Sequence, residues 1–313
     1  MSDSSVVVIG VFDGVHKGHQ ALLNRAKEIA DGRKIVALTF DPHPRAVFAP
    51  DSVPPMLTTL ADRVELLKIH NADQVAVMKF NEQFAAMSPE KFVEDILVNQ
   101  LHVSTVIVGK NFTYGSKAAG NVETLIADGA KHGFAVDVQE LAGGAEPVSS
   151  SRIRNLVLEG KVEQARELLS RPHRLDGVVV HGEKRGRELG YPTANMSVNG
   201  LHLPRLGVYA TRIDILTGPQ AGSYLGASSL GVRPMFGENT PNLETYLFDF
   251  KGDLYGQHLS IGFVDYLRPE MKFDGLPALV TQMGTDTAAG ECDGGTICLR
   301  RQMAIIRSDR DDL

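Results

Sequence analysis

Cysteine is almost absent: the 313-residue chain holds two, Cys292 and Cys298, both near its C-terminal end. Their spacing is not that of zinc ligands and no neighbouring cluster adds more, so they read as free thiols of a reducing compartment. A basic excess is missing as well. The formal net charge is -6, which argues against a general nucleic-acid or anionic-membrane partner, while a local positive pocket for a nucleotide stays open. Long apolar runs are missing too. Residues 6–9 are too short for a signal-peptide core or a membrane span, and no basic region precedes them, so a cytoplasmic protein without a membrane partner is expected. No internal repeat or long low-complexity run occurs.

What is present is the composition of a soluble globular protein, with 43% hydrophobic and 22% charged residues; disordered chains are poorer in the first. The length favours two domains. The first half alternates strand and helix patterns. Strands are expected over 6–11, 34–40, 75–80, 105–109 and 135–141. Helices are expected over 19–30, after the Thr59/Asp62 capping box, after Ser88-Pro89, and over 121–131, 152–158 and 162–169. Such alternation implies a parallel sheet covered by helices on both faces, with ligands bound beyond the C-terminal strand ends. The unusual residues follow those ends.

Near Arg171-Pro172-His173 the pattern changes. Strand candidates then follow one another over 177–181, 207–215, 223–228, 243–250 and 258–267, punctuated by glycine and proline, as in an antiparallel barrel or sandwich. The expected organisation is a Rossmann-like α/β domain over 1–172, a mainly antiparallel β-barrel domain over 173–283, and an atypical tail over 284–313. Residues 284–295 of that tail are rich in glycine and lack a helical period.

The first chemical constellation is Gly10-Val11-Phe12-Asp13-Gly14-Val15-His16-Lys17-Gly18-His19, between the first strand and the first helix. Glycines let the backbone turn tightly and approach a ligand. The helix N-terminus offers free N–H groups and a positive dipole end, which suit phosphate. His16 and His19 flank Gly18 and can converge on one anion, stabilising charge that develops at phosphorus. The string is not a Walker loop. Two histidines and some glycines alone would equally be a surface turn; the whole string is more specific. At Ser149-Ser150-Ser151-Arg152-Ile153-Arg154, serines can cap a helix or donate to phosphate, and Arg154 can clamp a pyrophosphate.

The whole Gly10–His19 string resembles the nucleotidylyltransferase signature as it occurs in bacterial bifunctional riboflavin kinase/FAD synthetases (FMN adenylyltransferases). Thr39-Phe40-Asp41-Pro42-His43-Pro44, Gly109-Lys110-Asn111-Phe112-Thr113-Tyr114-Gly115 and Ser149–Arg154 resemble further segments of that family, with Tyr114 where Phe is usual and Ser151 where Thr is usual. The resemblance implies that FMN phosphate attacks the α-phosphorus of ATP and pyrophosphate leaves. It implies an ATP and phosphate site from Gly10, Phe12, Asp13, Gly18, Ser150, Ser151 and Arg154, with His16 and His19 on the triphosphate. It also implies a flavin site from Asn111, Phe112, Asp41 and His43, the last equally a structural turn histidine.

The second constellation runs from Gly177 to Asn195 and includes His181-Gly182-Glu183-Lys184-Arg185-Gly186-Arg187 and Gly190-Tyr191-Pro192-Thr193-Ala194-Asn195. A glycine-rich basic loop can fold over phosphates. Thr193 and Asn195, at alternate positions, point the same way if extended and offer hard oxygens to magnesium. An exposed basic hairpin loop is the plain alternative. The string resembles the riboflavin kinase module, as do Glu244-Thr245-Tyr246-Leu247-Phe248-Asp249-Phe250 and the segment from Phe263 to Phe273. By that resemblance Glu244 is the general base on riboflavin, Thr193 and Asn195 hold Mg2+ that enters with ATP, and Gly182, Lys184, Arg187 and Gly190 face phosphate. Lys184 and Arg187 are equally read as solvated loop cations.

After Met283 the resemblance stops where the family's last helix would continue. An FAD synthetase with an impaired kinase module is therefore an alternative. Other nucleotidylyltransferases would share His-x-Gly-His but not Pro-Thr-Ala-Asn with the Glu244 strand. A non-catalytic flavin sensor is a third class.

Overall fold

The computed structural model describes residues 4–140, 146–180, 193–198, 200–235 and 238–270. They fall into two compact units. One comprises Met1–Ile153 and Leu168–Ser170, the other Arg154–Glu167 and Arg171–Leu313.

The first unit is built on β1 (Ser5–Ile9), β2 (Lys34–Asp41), β3 (Gln74–Lys79), β4 (Val103–Gly109) and β5 (Ala135–Gln139). All pairs are parallel and the order is β3-β2-β1-β4-β5. The apolar run at the chain start explains the central place of β1. Its residues alternate between two cores: Val7 and Ile9 pack with Val36, Leu38, Val106 and Val108, whereas Val6 and Val8 pack with Ile35, Ala37 and Ile107. Only a strand covered on both faces needs apolar residues at every position.

The helices are α1 (Lys17–Ile29), α2 (Arg45–Phe48), α3 (Leu60–Ile69), α4 (Glu82–Ala85), α5 (Pro89–Lys91, continued by a π-helical segment Phe92–Gln100) and α6 (Val122–His132). Two more, α7 (Ser150–Leu158) and α8 (Val162–Leu169), are each shared between the units. The Thr59/Asp62 capping box forms as expected, and Ser88 accepts from Lys91 N–H at 3.3 Å. The strand order reverses between β1 and β4, so the crevice of this sheet opens at their C-terminal ends. The Gly10–His19 and Gly109–Gly115 segments begin there.

The second unit is a closed barrel in the order β10-β7-β6-β11-β8-β9. Its strands are β6 (His173–Val180), β7 (Thr193–Ser197), β8 (Gly207–Ile215), β9 (Gly222–Met235), β10 (Glu238–Leu247) and β11 (His258–Arg268), all antiparallel. Period-two side chains such as Tyr209, Ile213 and Ile215 on β8 and Leu259, Ile261 and Phe263 on β11 fill one core. Closure leaves no unpaired sheet edge. Among the described residues, no helix is long and apolar enough to cross a membrane.

Candidate functional site

In the first unit the corner after β1 is held in a conformation that ordinary residues resist. Phe12 and Val15 have φ of 56° and 40°, in the left-handed region where a bulky or β-branched side chain is strained. Their side chains are fully buried, which helps to hold them. Gly14, at φ 79°, would be strained by any side chain, and an added Cβ would push against a Leu57 methyl at 2.9 Å. Asp13 is buried and its carboxylate accepts from Leu57 N at 2.9 and 3.1 Å and from Thr58 N at 3.3 Å. Gln20 donates to the Val15 carbonyl at 2.9 Å. Asp13, expected among phosphate contacts, thus ties the corner to the segment before α3.

This corner presents two imidazoles side by side. His16 and His19 stack with ring centroids 3.6 Å apart and planes at 17°, and Phe12 meets His19 edge-on at 5.1 Å. Gly18 makes room, since a Cβ there would come to 3.1 Å from the His16 ring. His19 Nδ1 is buried without a hydrogen-bond partner among the described residues. Burial, and secondarily the neighbouring His16, hold the His19 pKa well below the ordinary imidazole range. The ring is therefore neutral near pH 7 until an anion favours its proton. The first turn of α1 carries no acidic residue and His16 gives no side-chain cap, so no carboxylate of that turn itself competes for its amides.

The second motif is brought to the first across 137 positions: Ser150 Oγ donates to the Asp13 carbonyl at 2.9 Å. Ser149 caps α7 by accepting from Arg152 N–H at 3.2 Å, and Ser151 is exposed on its first turn. Arg154 lies on α7 beyond the point where the chain passes to the second unit, and its carbonyl faces His202 Nε2 at 2.8 Å.

Beside the corner is a cavity of about 280 Å³ whose wall begins at Gly10 and Val11 and is otherwise mainly aromatic: Phe40, Phe48, Phe80, Phe84, Phe92, Phe112 and Tyr114 line it. The rings brace one another. Phe40 meets Phe80 edge-on at 5.7 Å, and Phe112 stacks on Tyr114 at 5.6 Å. Of the expected flavin residues, Phe112 lines this cavity. Asn111 and Asp41 are exposed and are not in its lining, and His43 Nδ1 accepts from Arg45 N–H at 3.1 Å in the α2 turn. Sequence reasoning missed the other rings because they come from separate elements with no shared spacing.

In the second unit, register assembles the expected residues. Glu244 on β10 lies directly opposite Asn195 on β7, and Tyr246 opposite Thr193. Directly opposed residues project to the same face. Glu244 therefore shares a surface with both hydroxyl and carboxamide donors. Asn242, two residues before Glu244, stands between them: its Nδ2 donates to Glu244 Oε1 at 3.3 Å and to Asn195 Oδ1 at 3.4 Å. Asn242 was not singled out in the sequence, although its i,i+2 spacing from Glu244 was a usable signal. Gly182, Lys184, Arg187 and Gly190 lie outside the described residues, as do 284–313.

An anion corner beside an aromatic cavity on a parallel sheet, and a carboxylate beside hard oxygens on a barrel, are the parts of a nucleotide-dependent transferase. Residues 1–152 match the FAD synthetase family and residues 169–291 the riboflavin kinase family. Bifunctional riboflavin kinase/FMN adenylyltransferases from Listeria monocytogenes and Pseudomonas fluorescens are each 38% identical to the chain. The first comparison covers 90% of both chains and the second 91% of both. A solved structure described as a macrolide-efflux protein from Streptococcus pneumoniae superposes with a TM-score of 0.82 at 31% identity, over 92% of this chain and 94% of that one. The chain belongs to the bifunctional riboflavin kinase/FMN adenylyltransferase family.

Proposed function

We propose that this chain phosphorylates riboflavin to FMN and adenylylates FMN to FAD, the first reaction in residues 173–283 and the second in residues 1–172. One observation carries the reading: the aromatic cavity starts at Gly10 and Val11, where the phosphate corner also starts. A flat tricyclic ring stacked among Phe40, Phe80 and Phe112 would direct its ribityl phosphate toward that corner. Stacking on rings suits such a ligand and leaves its polar tail to reach out.

For adenylyl transfer, an FMN phosphate oxygen attacks the α-phosphorus of ATP and the bond to the β,γ-pyrophosphate breaks. No enzyme-bound intermediate is needed, so the work is alignment and charge stabilisation. The amides of the first turn of α1, and His16 and His19, meet the triphosphate. His19 takes up a proton as negative charge gathers beside its unpartnered Nδ1. Ser151 and Arg154 are assigned to the departing pyrophosphate, while Ser150 and Asp13 hold the two segments together. Asn111 and Asp41 are assigned to the polar part of the flavin.

For phosphorylation, the ribityl hydroxyl attacks the γ-phosphorus of ATP. Its proton passes to Glu244, whose carboxylate Asn242 steadies. Thr193 and Asn195 supply two neutral hard oxygens on the Glu244 face, a donor set that fits a hard divalent cation still holding waters and phosphate oxygens. Magnesium bound there would screen phosphate charge during transfer. The reading is tested by chromatography of the purified chain with riboflavin, ATP and magnesium, which should give FMN and then FAD. FAD from added FMN with no product from riboflavin would leave only the adenylylating half, and no product from either flavin would end the proposal.

A further inference from the structure

We propose that Arg63 is a positioning residue for adenylyl transfer, fixing from helix α3 the backbone turn that carries His16 and His19. The inference rests on the reading that this turn holds ATP. Arg63 occupies the buried face of α3 with Leu67 and is 1% exposed. Its Nη1 donates to the Val11 carbonyl at 3.0 Å and its Nη2 to the Phe40 carbonyl at 3.2 Å. Arg63 Nη2 also lies 3.6 Å from Asp41 Oδ1, on a side chain 49% exposed, and Nε is buried without a hydrogen-bond partner among the described residues. Attraction to the Asp13 and Asp41 carboxylates only partly offsets the desolvation of this cation, and both hydrogen bonds of its fork go to backbone carbonyls rather than to a carboxylate.

The location of the two carbonyls explains the arrangement. Val11 immediately precedes the strained Phe12, and Asp13, immediately after it, is fixed by the amides of Leu57 and Thr58 in the lead-in to α3. Helix α3 and its lead-in thus grip both sides of one left-handed residue, whose ring abuts His19. Phe40, whose carbonyl takes the other arm of the fork, lines the aromatic cavity. One guanidinium therefore sets the spacing between the phosphate corner and the cavity wall. A lysine would keep the charge but lose the planar fork that spans two carbonyls.

The test compares full-length wild type with Arg63→Lys and Arg63→Met. The readouts are FAD formation from FMN, FMN formation from riboflavin, thermal unfolding, and the NMR titration of the His19 ring. In Arg63→Lys, kcat for FAD formation should fall about 10- to 100-fold, as a displacement near 1 Å would cause. KM for ATP should change by less than about threefold, since uniform binding is kept. FMN formation should be unchanged and the His19 titration shifted, at a temperature where the variant is fully folded. Arg63→Met should lose more; if it does not fold, the lysine variant decides. A loss that only tracks the unfolded fraction, or a rise in KM for ATP at unchanged kcat, overturns the proposal. Failure of the underlying reading would differ, because wild type itself would then make no FAD from FMN.

Discussion

The two units solve the problem of handling ATP in opposite ways. In the first, the imidazole pair follows a turn of unfavourable backbone conformation, with Phe12 and Val15 at positive φ, and packing from distant segments holds that turn. Ser150 reaches Asp13 across 137 positions, and the Asp13 carboxylate ties down Leu57 and Thr58. In the second, the described residues of the site lie on regular strands: β7 and β10 pair in register and their alternate side chains meet on one face. A loop site depends on many remote contacts and can be loosened from afar. A register site stands or falls with strand pairing, because a slip of one residue turns every side chain to the other face. Losses that separate cleanly between the two reactions are what this contrast requires.

The largest separation is expected from Glu244→Gln. The amide keeps the shape and the contact to Asn242 but cannot take the hydroxyl proton. FMN formation from riboflavin should fall about 1000-fold, within the range for loss of a general base. FAD formation from added FMN should stay within about twofold of wild type. Steady-state assays with each flavin measure both. A matching fall in FAD formation would mean that the two sites are not energetically separate.

The reverse separation is expected from His19→Ala, with a smaller effect. FAD formation should fall about 100-fold, comparable with removal of one preorganised stabiliser of developing charge, while FMN formation persists. A second measurement sharpens it. Because the His19 pKa is depressed by burial and by His16, the free ring is neutral, and ATP binding should draw a proton onto it. Calorimetry in buffers of different ionisation enthalpy near pH 6.5 should show proton uptake in wild type, reduced in His19→Ala. Equal uptake in both would remove His19 from the phosphate site.

How much of this was legible in the sequence follows the same contrast. The parallel sheet was readable because doubly buried strands such as β1 and β2 are apolar at consecutive positions. Even so, β1 ends at Ile9 rather than at residue 11, since Gly10 and Val11 already belong to the turn, where the Val11 carbonyl accepts from Thr39 Oγ1 at 3.0 Å. In the barrel, β8 was read to the residue because it begins at a glycine and is rich in β-branched residues. β9 was cut short and β10 shifted: expected over 223–228 and 243–250, they run over Gly222–Met235 and Glu238–Leu247. Gly231, Pro234 and Pro241 lie inside them, and such residues usually end a strand. Pairing between the two long strands outweighs that local signal. The imidazole pair was legible because it is contiguous. The aromatic cavity was not, because its rings converge only after β2, β3, the π-helical segment and the loop after β4 have packed.

Each unit hides an imidazole whose pKa burial has lowered, and that of the first, His19, has a buried ring nitrogen without a hydrogen-bond partner among the described residues. In the barrel, His173 is 2% exposed and its Nε2 donates to the His202 carbonyl at 2.7 Å. Desolvation moves its pKa from 6.5 down to about 4, the bond to His202 opposing the shift. Such a group stabilises the fold above its unfolded pKa, and that stability is lost as pH falls from about 6.5 toward about 4, because the unfolded chain takes the proton first. Between pH 7 and pH 5 the loss from this one ring is about 2 kcal/mol. His173→Gln keeps a donor for the carbonyl and removes the titration. Urea unfolding of the barrel unit should therefore show a pH 7-to-5 drop smaller by about 2 kcal/mol in the variant, with FMN formation at pH 7 unaltered. Parallel pH curves for variant and wild type would show that His173 takes up its proton equally in the folded barrel and the unfolded chain, and that its burial is no counterpart to the poised ring of His19.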